Sequence, residues 1–311
     1  MEKEMKSAMP ENTPDQNLTI VIPVYNEAQS LSVFLPDLIK ACEANNWRLI
    51  FVNDGSQDKS AQILSEIGQK DFVQVFHHKL NRGYGGALKT GIANVVTPYT
   101  ITMDGDGQHR LEDVEAIYLF STKNDADMVI GTRTRTKKSN LYREIGKWLI
   151  RTFTRLLVPL PIKDLNSGFK LFDTGLVQQY ISLCPDSMAF SDVITLLFLN
   201  QRHLVLEYPI EVHSRVAGES TISTRTAFET IVEILGLLML VNPLRIFLPL
   251  SFISVLVGVA WGIPIVWMGR GVSVGAMLAI VVGVFFFILG LIAGQLSAIR
   301  MHLSKLKKNK N

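Results

Sequence analysis

Through the first 130 residues, short apolar runs alternate with longer amphipathic stretches, and each apolar run closes on a polar or glycine-containing cluster. The runs Leu18–Val24, Leu49–Val52, Val73–Phe76, Tyr99–Met103 and Met128–Ile130 predict strands, and the stretches Ser30–Ala44, Ser56–Gln69, Gly86–Val95 and Leu111–Ser121 predict helices between them. Pro36 lacks a backbone donor and crowds the preceding turn, so the first helix is expected to kink there or to start later. Strand–helix alternation of this kind implies an α/β domain on a mostly parallel sheet, with ligands held outside the carboxyl ends of the strands. The polar clusters Tyr25–Glu27, Asn53–Asp58, Asn81–Gly86 and Asp104–His109 are therefore expected to meet on one edge.

Beyond Gly131 the pattern changes. A basic, Thr-rich loop (Arg133–Lys138) leads to a helix near Leu141–Leu157 and a Pro-containing turn into Asp164–Phe172, followed by a helix around Ser191–Asn200 and a strand at Leu204–Val212. Thr226–Val241 reads as a largely apolar helix with Glu229 and Glu233 on one face, too short to span a bilayer and suited to the interface plane. From Ile246 to Ile299 the one charge is Arg270. Ile246–Met268 and Gly271–Ile299 are each long enough, at roughly 1.5 Å per residue, to cross a hydrocarbon layer of about 30 Å. The expected organisation is a disordered segment over 1–17, a cytoplasmic domain over 18–225, an amphipathic interfacial helix over 226–245, spans at 246–268 and 271–299, and a basic tail at 300–311.

Composition sharpens this picture. With 311 residues, 48% hydrophobic and 19% charged, the chain holds one ordinary domain plus an appendage, and disorder is excluded as its overall state. The net charge of +3 is unevenly placed: Arg270, Arg300, Lys305, Lys307, Lys308 and Lys310 face no acidic residue after position 245, leaving the remainder at −3. The basicity is a membrane-flank feature and no nucleic-acid partner is implied. Five of these six cations follow the second span, which predicts that the tail and the large domain are both cytoplasmic. Met1–Asn17 carries no apolar signal-like core, so no secretory signal is expected. Cys42 and Cys184 suggest neither a disulfide framework nor a zinc cluster, and the six histidines show no ligand spacing.

Asp104 and Asp106 close an apolar strand within Met103-Asp104-Gly105-Asp106-Gly107-Gln108-His109. Two carboxylates so close repel each other and resist dehydration, which calls for a compensating cation. Hard oxygen donors favour Mg²⁺ or Mn²⁺, with coordination positions left for substrate phosphates. Two alternatives stand beside this: a solvated Gly–Asp turn without metal, and an EF-hand register that fails where His109 occupies the position needing glycine. Asp54, just past a strand, is placed to accept from a base or ribose, while Ser56 or Asp58 could cap the next helix. Asn81-Arg82-Gly83-Tyr84-Gly85-Gly86 lacks the dinucleotide spacing, and either close approach to a ligand or a tight turn into a helix accounts for it. Lys137 and Lys138 read as a solvated face, whereas Arg133 follows an apolar strand and should point toward the carboxylates, where its planar fork suits phosphate.

Ile22-Pro23-Val24-Tyr25-Asn26-Glu27, Val52-Asn53-Asp54-Gly55-Ser56-Gln57-Asp58, Asn81-Arg82-Gly83, Asp104-Gly105-Asp106-Gly107-Gln108, Gly131-Thr132-Arg133, Asp164 through Lys170, and Arg215 through Ser220 occur in this order. Together they resemble the family-two glycosyltransferases of GT-A type, and within them the polyprenyl-phosphate sugar synthases. The resemblance runs from Leu18 onward. It implies a GT-A nucleotide-sugar domain followed by an interfacial helix and a two-helix transmembrane hairpin, with a nucleotide sugar as donor, a polyprenyl phosphate as acceptor, the membrane as partner, and Mg²⁺ or Mn²⁺ as cofactor. It further implies that Pro23, Tyr25, Glu27 and Asp54 hold the nucleotide and that Asp104, Asp106 and Gln108 hold the metal. By the same resemblance Arg133 and Arg143 hold the lipid phosphate, and Arg215 and Ser220 close over the donor diphosphate. Many relatives read Gly-x-Ser-Lys in the last motif; Thr221 stands here instead, removing one cation.

The expected chemistry is an inverting transfer in which the departing diphosphate is neutralised, Asp106, Arg133 and Asp164 being the catalytic set. A polyprenyl phosphate is already anionic, so cations and positioning matter more on the acceptor side than a base. Asp164 would orient the acceptor-binding cations or the sugar, with helix capping as the other account. A processive polysaccharide synthase is disfavoured because none of Trp47, Trp148, Trp261 or Trp267 follows an arginine, as that group's Gln-x-x-Arg-Trp pattern requires. A non-catalytic nucleotide-sugar sensor is disfavoured by the intact carboxylate pair. The sugar, the isoprenoid length and the oligomeric state, a homo-oligomer included, are left open.

Overall fold

A computed structural model describes residues 17–133, 162, 164–211, 236, 239 and 242–308. The segment before Asn17, the expected helix near Leu141–Leu157 and nearly all of the expected interfacial helix lie outside the described residues. Among the described residues, β1 (Leu18–Val24), β2 (Arg48–Asn53), β3 (Val73–His77), β4 (Tyr99–Thr102), β5 (Met128–Arg133), β6 (Lys170–Asp173) and β7 (Val205–Ile210) form one sheet in the order β3-β2-β1-β4-β6-β5-β7. Every neighbouring pair is parallel except those made by β6, which runs antiparallel to β4 and β5. β6 lies within the stretch read from sequence as a turn into Asp164–Phe172; its pairing is with strands some forty to seventy residues upstream in the register of Ile130 and Thr102, and no local pattern announces that.

The helices are α1 (Ala28–Asn45), α2 (Ser60–Ile67), α3 (Tyr84–Ala93), α4 (Leu111–Asn124), α5 (Thr174–Tyr180) and α6 (Phe190–Asn200), with a 3₁₀ turn at Ile181–Leu183 after α5. Two starts differ from expectation, and one set of contacts explains both. Asp58 accepts the N–H of Ala28 at 3.0 Å, Ser60 Oγ accepts that of Glu27 at 3.0 Å, and Ser56 Oγ accepts that of Asn26 at 3.0 Å. The orphan donors at the head of α1 are thus satisfied from the next loop, so α1 begins earlier than expected and runs through Pro36. Residues 56–59 are spent on this bridge, and α2 begins only at Ser60.

β1 is buried along its whole length, because both faces of the sheet are covered. Leu18, Ile20, Ile22 and Val24 pack with Leu31, Leu35 and Leu38 of α1 and Val114 and Ile117 of α4. Val21, Ile50 and Val52 face the other layer, with Leu88 and Ile92 of α3 and Phe190, Ile194 and Leu197 of α6. Buried hydroxyls inside this core are paired, Thr19 with Thr97 and Thr100 with Thr174, each at 2.7 Å.

After the domain come α7 (Leu244–Trp267) and α8 (Val274–Lys308), two long apolar helices folded back on each other as a hairpin. α7 includes Leu244 and Arg245, which the sequence reading gave to the interfacial helix. Large side chains such as Phe252, Trp261, Phe285 and Ile292 stand more than half exposed around it, as expected of helices that meet lipid and not water. The two helices touch through small residues: a Cβ on Gly283 would lie 3.0 Å from Ser251 O, and Ser254 Oγ donates to Ala279 O at 2.8 Å. α8 also packs on α5 and the 3₁₀ turn, docking the hairpin to the domain.

Phe172 of β6 is fully buried, its ring 5.9 Å from that of Phe198. Phe172→Ala is expected to cost about 3–5 kcal/mol, read by denaturant unfolding in detergent; a loss under about 1 kcal/mol would contradict the role of β6 in the core.

Candidate active site

The strand order reverses beside β1: β2 lies on one side of it and β4, reached after β3 and α3, on the other. Loops leaving the carboxyl ends of β1 and β4 must diverge there, which opens a crevice at the switch point. A cavity of about 340 Å³ occupies it. Its wall includes Pro23, Tyr25 and Glu27 after β1, Asp54 after β2, Asn81 and Gly83 after β3, and Asp104, Asp106, Gln108 and His109 after β4. Arg133 at the end of β5 and Asn166–Gly168 before β6 complete it, with Met188 opposite. All four polar clusters expected on one edge converge on this cavity.

Asp54 is 3% exposed and its oxygens serve the protein itself. Oδ1 pairs with His78 Nδ1 at 2.7 Å and accepts the N–H of Arg82 at 2.9 Å; Oδ2 accepts the N–H of Gly83 at 2.8 Å. His78 in turn bonds Thr90 of α3 through Nε2 at 2.8 Å. Asp54 thus shapes the 81–83 turn that walls the cavity. Of the two residues expected to cap α2, Asp58 does accept the N–H of Ser60 at the start of that helix, at 2.9 Å through Oδ1, while its Oδ2 serves the head of α1, and Ser56 is turned to Asn26 instead; burial pushes the Asp58 carboxyl up, and hydrogen bonds from Ser60 and Ala28 outweigh it and hold it below the usual value. The glycine-rich stretch also finds its reason inside the protein. A Cβ on Gly83, whose φ is +90°, would lie 2.5 Å from Asp186 O, and one on Gly85 would strike Pro185 O. These glycines let the head of α3 abut residues 185–187, the tight turn into a helix of the two sequence readings.

Asp104 and Asp106 both face the cavity. Asp106 is 5% exposed, and its Oδ1 accepts the N–H of Gln108 at 3.1 Å. Tyr84 donates its hydroxyl to Asp104 Oδ1 at 3.0 Å, and His109 Nε2 lies 3.9 Å from Oδ2. Burial would raise the Asp104 carboxyl, but His109, the Tyr84 hydroxyl and the charge of Arg133 together hold it below its ordinary value. Burial, and then the Asp104 carboxylate, push the Tyr84 phenol well above its usual range, so it remains a donor. His109 is stacked on Phe169, with ring centroids 4.7 Å apart. Gly168 lies directly against this carboxylate, and a Cβ there would stand 2.7–2.8 Å from both Asp104 oxygens and the Tyr84 hydroxyl. Among the described residues no three His, Cys, Asp or Glu side chains group as a closed metal centre. Two carboxylates with a neighbouring amide suit a hard divalent cation that keeps its other positions for water and phosphate oxygens, so the donor set fits Mg²⁺ or Mn²⁺.

Arg133 and Asp164 meet fork to fork: Nε donates to Oδ2 at 2.9 Å and Nη2 to Oδ1 at 3.1 Å. Among the described residues no helix starts at Asp164; the residue that caps α5 is Asp173, which accepts the N–H of Leu176 at 2.8 Å. Arg143, Arg215, Ser220 and Thr221 lie outside the described residues. Sequence reasoning missed Tyr84, His109, Met188 and above all Lys170, which is 1% exposed and donates to Leu165 O at 2.7 Å, to Thr195 Oγ1 at 2.8 Å and to Ser191 O. A lone lysine inside the apolar run Phe169–Phe172 was the available signal. Lys170 ties the 164–168 loop, which carries Asp164 and Gly168, to α6.

Residues 19–180 match the profile of glycosyl transferase family 2, and residues 242–299 match the GtrB C-terminal hairpin. The chain belongs to glycosyl transferase family 2 and carries that family's chemistry on a GT-A-like domain with a membrane hairpin. The undecaprenyl-phosphate 4-deoxy-4-formamido-L-arabinose transferase of Edwardsiella ictaluri is 25% identical over 298 residues, covering 91% of this chain and 90% of that protein. The uncharacterized protein MJ1222 of Methanocaldococcus jannaschii is 33% identical over 67% of this chain and 86% of its own length. In fold, the chain is similar to glucosyl-3-phosphoglycerate synthase of Mycobacterium tuberculosis solved with Mn²⁺, UDP-glucose and phosphoglyceric acid, with a TM-score of 0.54 and 14% identity over 74% of this chain and 85% of that one.

Burial depresses the Lys170 ammonium to about 8, with the nearby carboxylates Asp192, Asp164 and Asp104 opposing the shift. Its folded value lies below its unfolded one, so folding is penalised while the lysine is charged, and the penalty is relieved as pH rises from about 8 toward the unfolded value. Wild type should therefore gain stability relative to Lys170→Met across that window, by on the order of 2–3 kcal/mol. Unfolding curves from neutral pH up to about 10.5, the ordinary lysine value, test this; a constant difference contradicts it.

Proposed function

We propose that the chain transfers a hexosyl group from a nucleoside-diphosphate sugar to a polyprenyl phosphate at the cytoplasmic membrane face, inverting the anomeric carbon. The carrying observation is that Asp104, Asp106 and an Arg133 clamped by Asp164 face one cavity of about 340 Å³, in a chain that ends in an apolar hairpin. The name of the Edwardsiella relative supports undecaprenyl phosphate or a similar lipid as acceptor. The excess of cations after the second span supports a cytoplasmic domain and tail.

On this reading Pro23, Tyr25 and Glu27 line the nucleotide's side of the cavity, and Asp54 holds that wall in shape through the 81–83 turn. Asp104, Asp106 and Gln108 would hold Mg²⁺ or Mn²⁺, whose charge offsets that of the departing diphosphate. Arg215 and Ser220 are proposed to reach the same diphosphate. Arg133 and Arg143 receive the lipid phosphate. Asp164 takes the Nε–Nη2 edge of Arg133 and fixes the guanidinium in one plane, so its remaining Nη1–Nη2 edge is aimed before the acceptor arrives. The acceptor oxygen is already anionic, so no proton has to leave before it attacks the anomeric carbon from the face opposite the leaving diphosphate.

The test is turnover of a panel of UDP- and GDP-sugars in detergent with Mn²⁺ and undecaprenyl phosphate. Binding of a nucleotide sugar without turnover would favour a sensor and overturn the proposal. Asp106→Ala is expected to lower kcat/KM by about 10²-fold or more while circular dichroism and the unfolding midpoint stay near wild type; an unchanged rate removes the carboxylate pair from the chemistry. Arg133→Lys keeps the charge and loses the fork, so the acceptor KM should rise about tenfold with the donor KM little changed. Equal effects on both substrates would argue against an acceptor role.

A further inference from the structure

The stretch Asp164-Leu165-Asn166-Ser167-Gly168 reaches from one half of the site to the other, and all but one of its residues are committed inside the protein. Asp164 takes one edge of the Arg133 guanidinium at 2.9 and 3.1 Å. The Leu165 carbonyl accepts from Lys170 Nζ at 2.7 Å, and the Leu165 side chain packs on the apolar layer that includes Phe190 and Ile194. Ser167 is 3% exposed and donates to Gly131 O at 2.7 Å. Gly168 accepts from Thr102 Oγ1 at 2.7 Å through its carbonyl and lies against the Asp104 carboxylate. Asn166 is the exception. It is exposed and lines the catalytic cavity, and its carboxamide has no hydrogen-bond partner among the described residues.

The two ends of this stretch mark the two charges between which transfer has to occur. Gly168 abuts Asp104, on the side proposed for the cation and the donor diphosphate, and Asp164 holds Arg133, proposed to receive the acceptor phosphate. In a displacement from the face opposite the leaving group, the anomeric carbon lies between the leaving oxygen and the attacking one. The sugar ring therefore occupies the space between those ends, and Asn166 borders it from the middle of the stretch. Its neighbours on both sides are tied down, so the backbone at Asn166 is held in place, which a discriminating contact requires. A carboxamide offers both donors and an acceptor on a short stem, and this one gives up no internal bond when a substrate binds.

We propose that Asn166 reads a ring substituent of the donor hexose, a hydroxyl or an acylamino group that both donates and accepts, and so sets which sugar is transferred. The inference rests on the transfer reading above and adds the residue that discriminates among donors. Tyr25, Glu27 and the Asp104/Asp106 pair meet the nucleotide and the diphosphate on that reading, and these are the same whichever hexose is attached. A site that hydrogen-bonds a substrate group rejects the analogue lacking it, because its own polar atoms are then left unpaired. Substitution of Asn166 should therefore change the choice of sugar while nucleotide and acceptor recognition stay as they are.

The experiment uses the full-length protein in detergent with Mn²⁺ and undecaprenyl phosphate. The donors are UDP-glucose, UDP-galactose, UDP-N-acetylglucosamine, GDP-mannose and GDP-glucose. The readout is the ratio of kcat/KM for the best donor to that for the next one carrying the same nucleotide. Asn166→Ala should lower this ratio about tenfold, and Asn166→Ser, which keeps a donor and an acceptor on a shorter stem, by a smaller factor. The acceptor KM, the Kd of bare UDP or GDP and the unfolding midpoint should stay near wild type, whereas a merely structural role would move them together. If Asn166→Ala proves unfolded, Asn166→Ser decides. A ratio within about twofold of wild type in the folded variants, or an equal loss on every donor, would overturn the proposal. A wild type that binds a nucleotide sugar and transfers nothing would sink the transfer reading alone. The Kd of that nucleotide sugar relative to its bare nucleotide would then decide for Asn166, with a rise of about tenfold expected in Asn166→Ala and an unchanged value overturning its role.

Discussion

The structure around the site follows from one electrostatic constraint, the placing of two carboxylates one residue apart where β4 ends in a partly buried crevice. Left alone, Asp104 and Asp106 would repel each other and one would take up a proton. Each neighbouring element supplies part of the compensation. Tyr84 donates from the head of α3, His109 approaches while stacked on Phe169, and Arg133 brings a full charge from β5. Gly168 has no side chain because the carboxylate occupies the space one would need. What remains is a negative pocket whose donor set fits a hard divalent cation.

Holding that pocket open falls to residues whose polar atoms bond within the protein. Asp54 gathers the 81–83 turn through His78 and two backbone donors, and Lys170 pins the 164–168 loop to α6 with three bonds to neutral acceptors. A buried ammonium is costly unless every donor is used, and using them fixes the loop that carries Asp164 and Gly168. The β6 insertion has the same effect at larger scale, since its antiparallel pairing seats Phe169 and Lys170 between β4 and β5. Positioning of this kind suits a reaction whose nucleophile needs no activation, because geometry and charge are then what is left to supply.

The hairpin is more than a tether in this architecture. α8 packs against α5 and the 3₁₀ turn, and the segment that follows that turn walls the catalytic cavity at Met188. On the proposed reading, a lipid-linked acceptor confined to the bilayer would meet a domain that these contacts fix to the hairpin.

Much of this was legible in the residues. Period and punctuation marked β1 to β5, α3, α4 and the two long apolar helices, because those elements are specified by local patterning and by the length needed to cross hydrocarbon. The motif order pointed to the edge where Pro23, Tyr25, Glu27, Asp54, Asp104, Asp106, Gln108 and Arg133 do line one cavity. Contacts between residues distant in sequence were not legible. The α1 start depends on Asp58 and Ser60 thirty residues on, Gly83 and Gly85 answer to the carbonyls of residues 185–187, and β6 exists only through its partners. The residues alone determined an α/β domain with a carboxylate pair and an apolar hairpin, since composition and local spacing carry that information, and the order of their motifs resembled family two. Only the folded chain decided that Asp164 clamps Arg133, that Lys170 is buried, and that residues 185–187 abut the head of α3, because each is a matter of which distant groups come within hydrogen-bonding or packing distance.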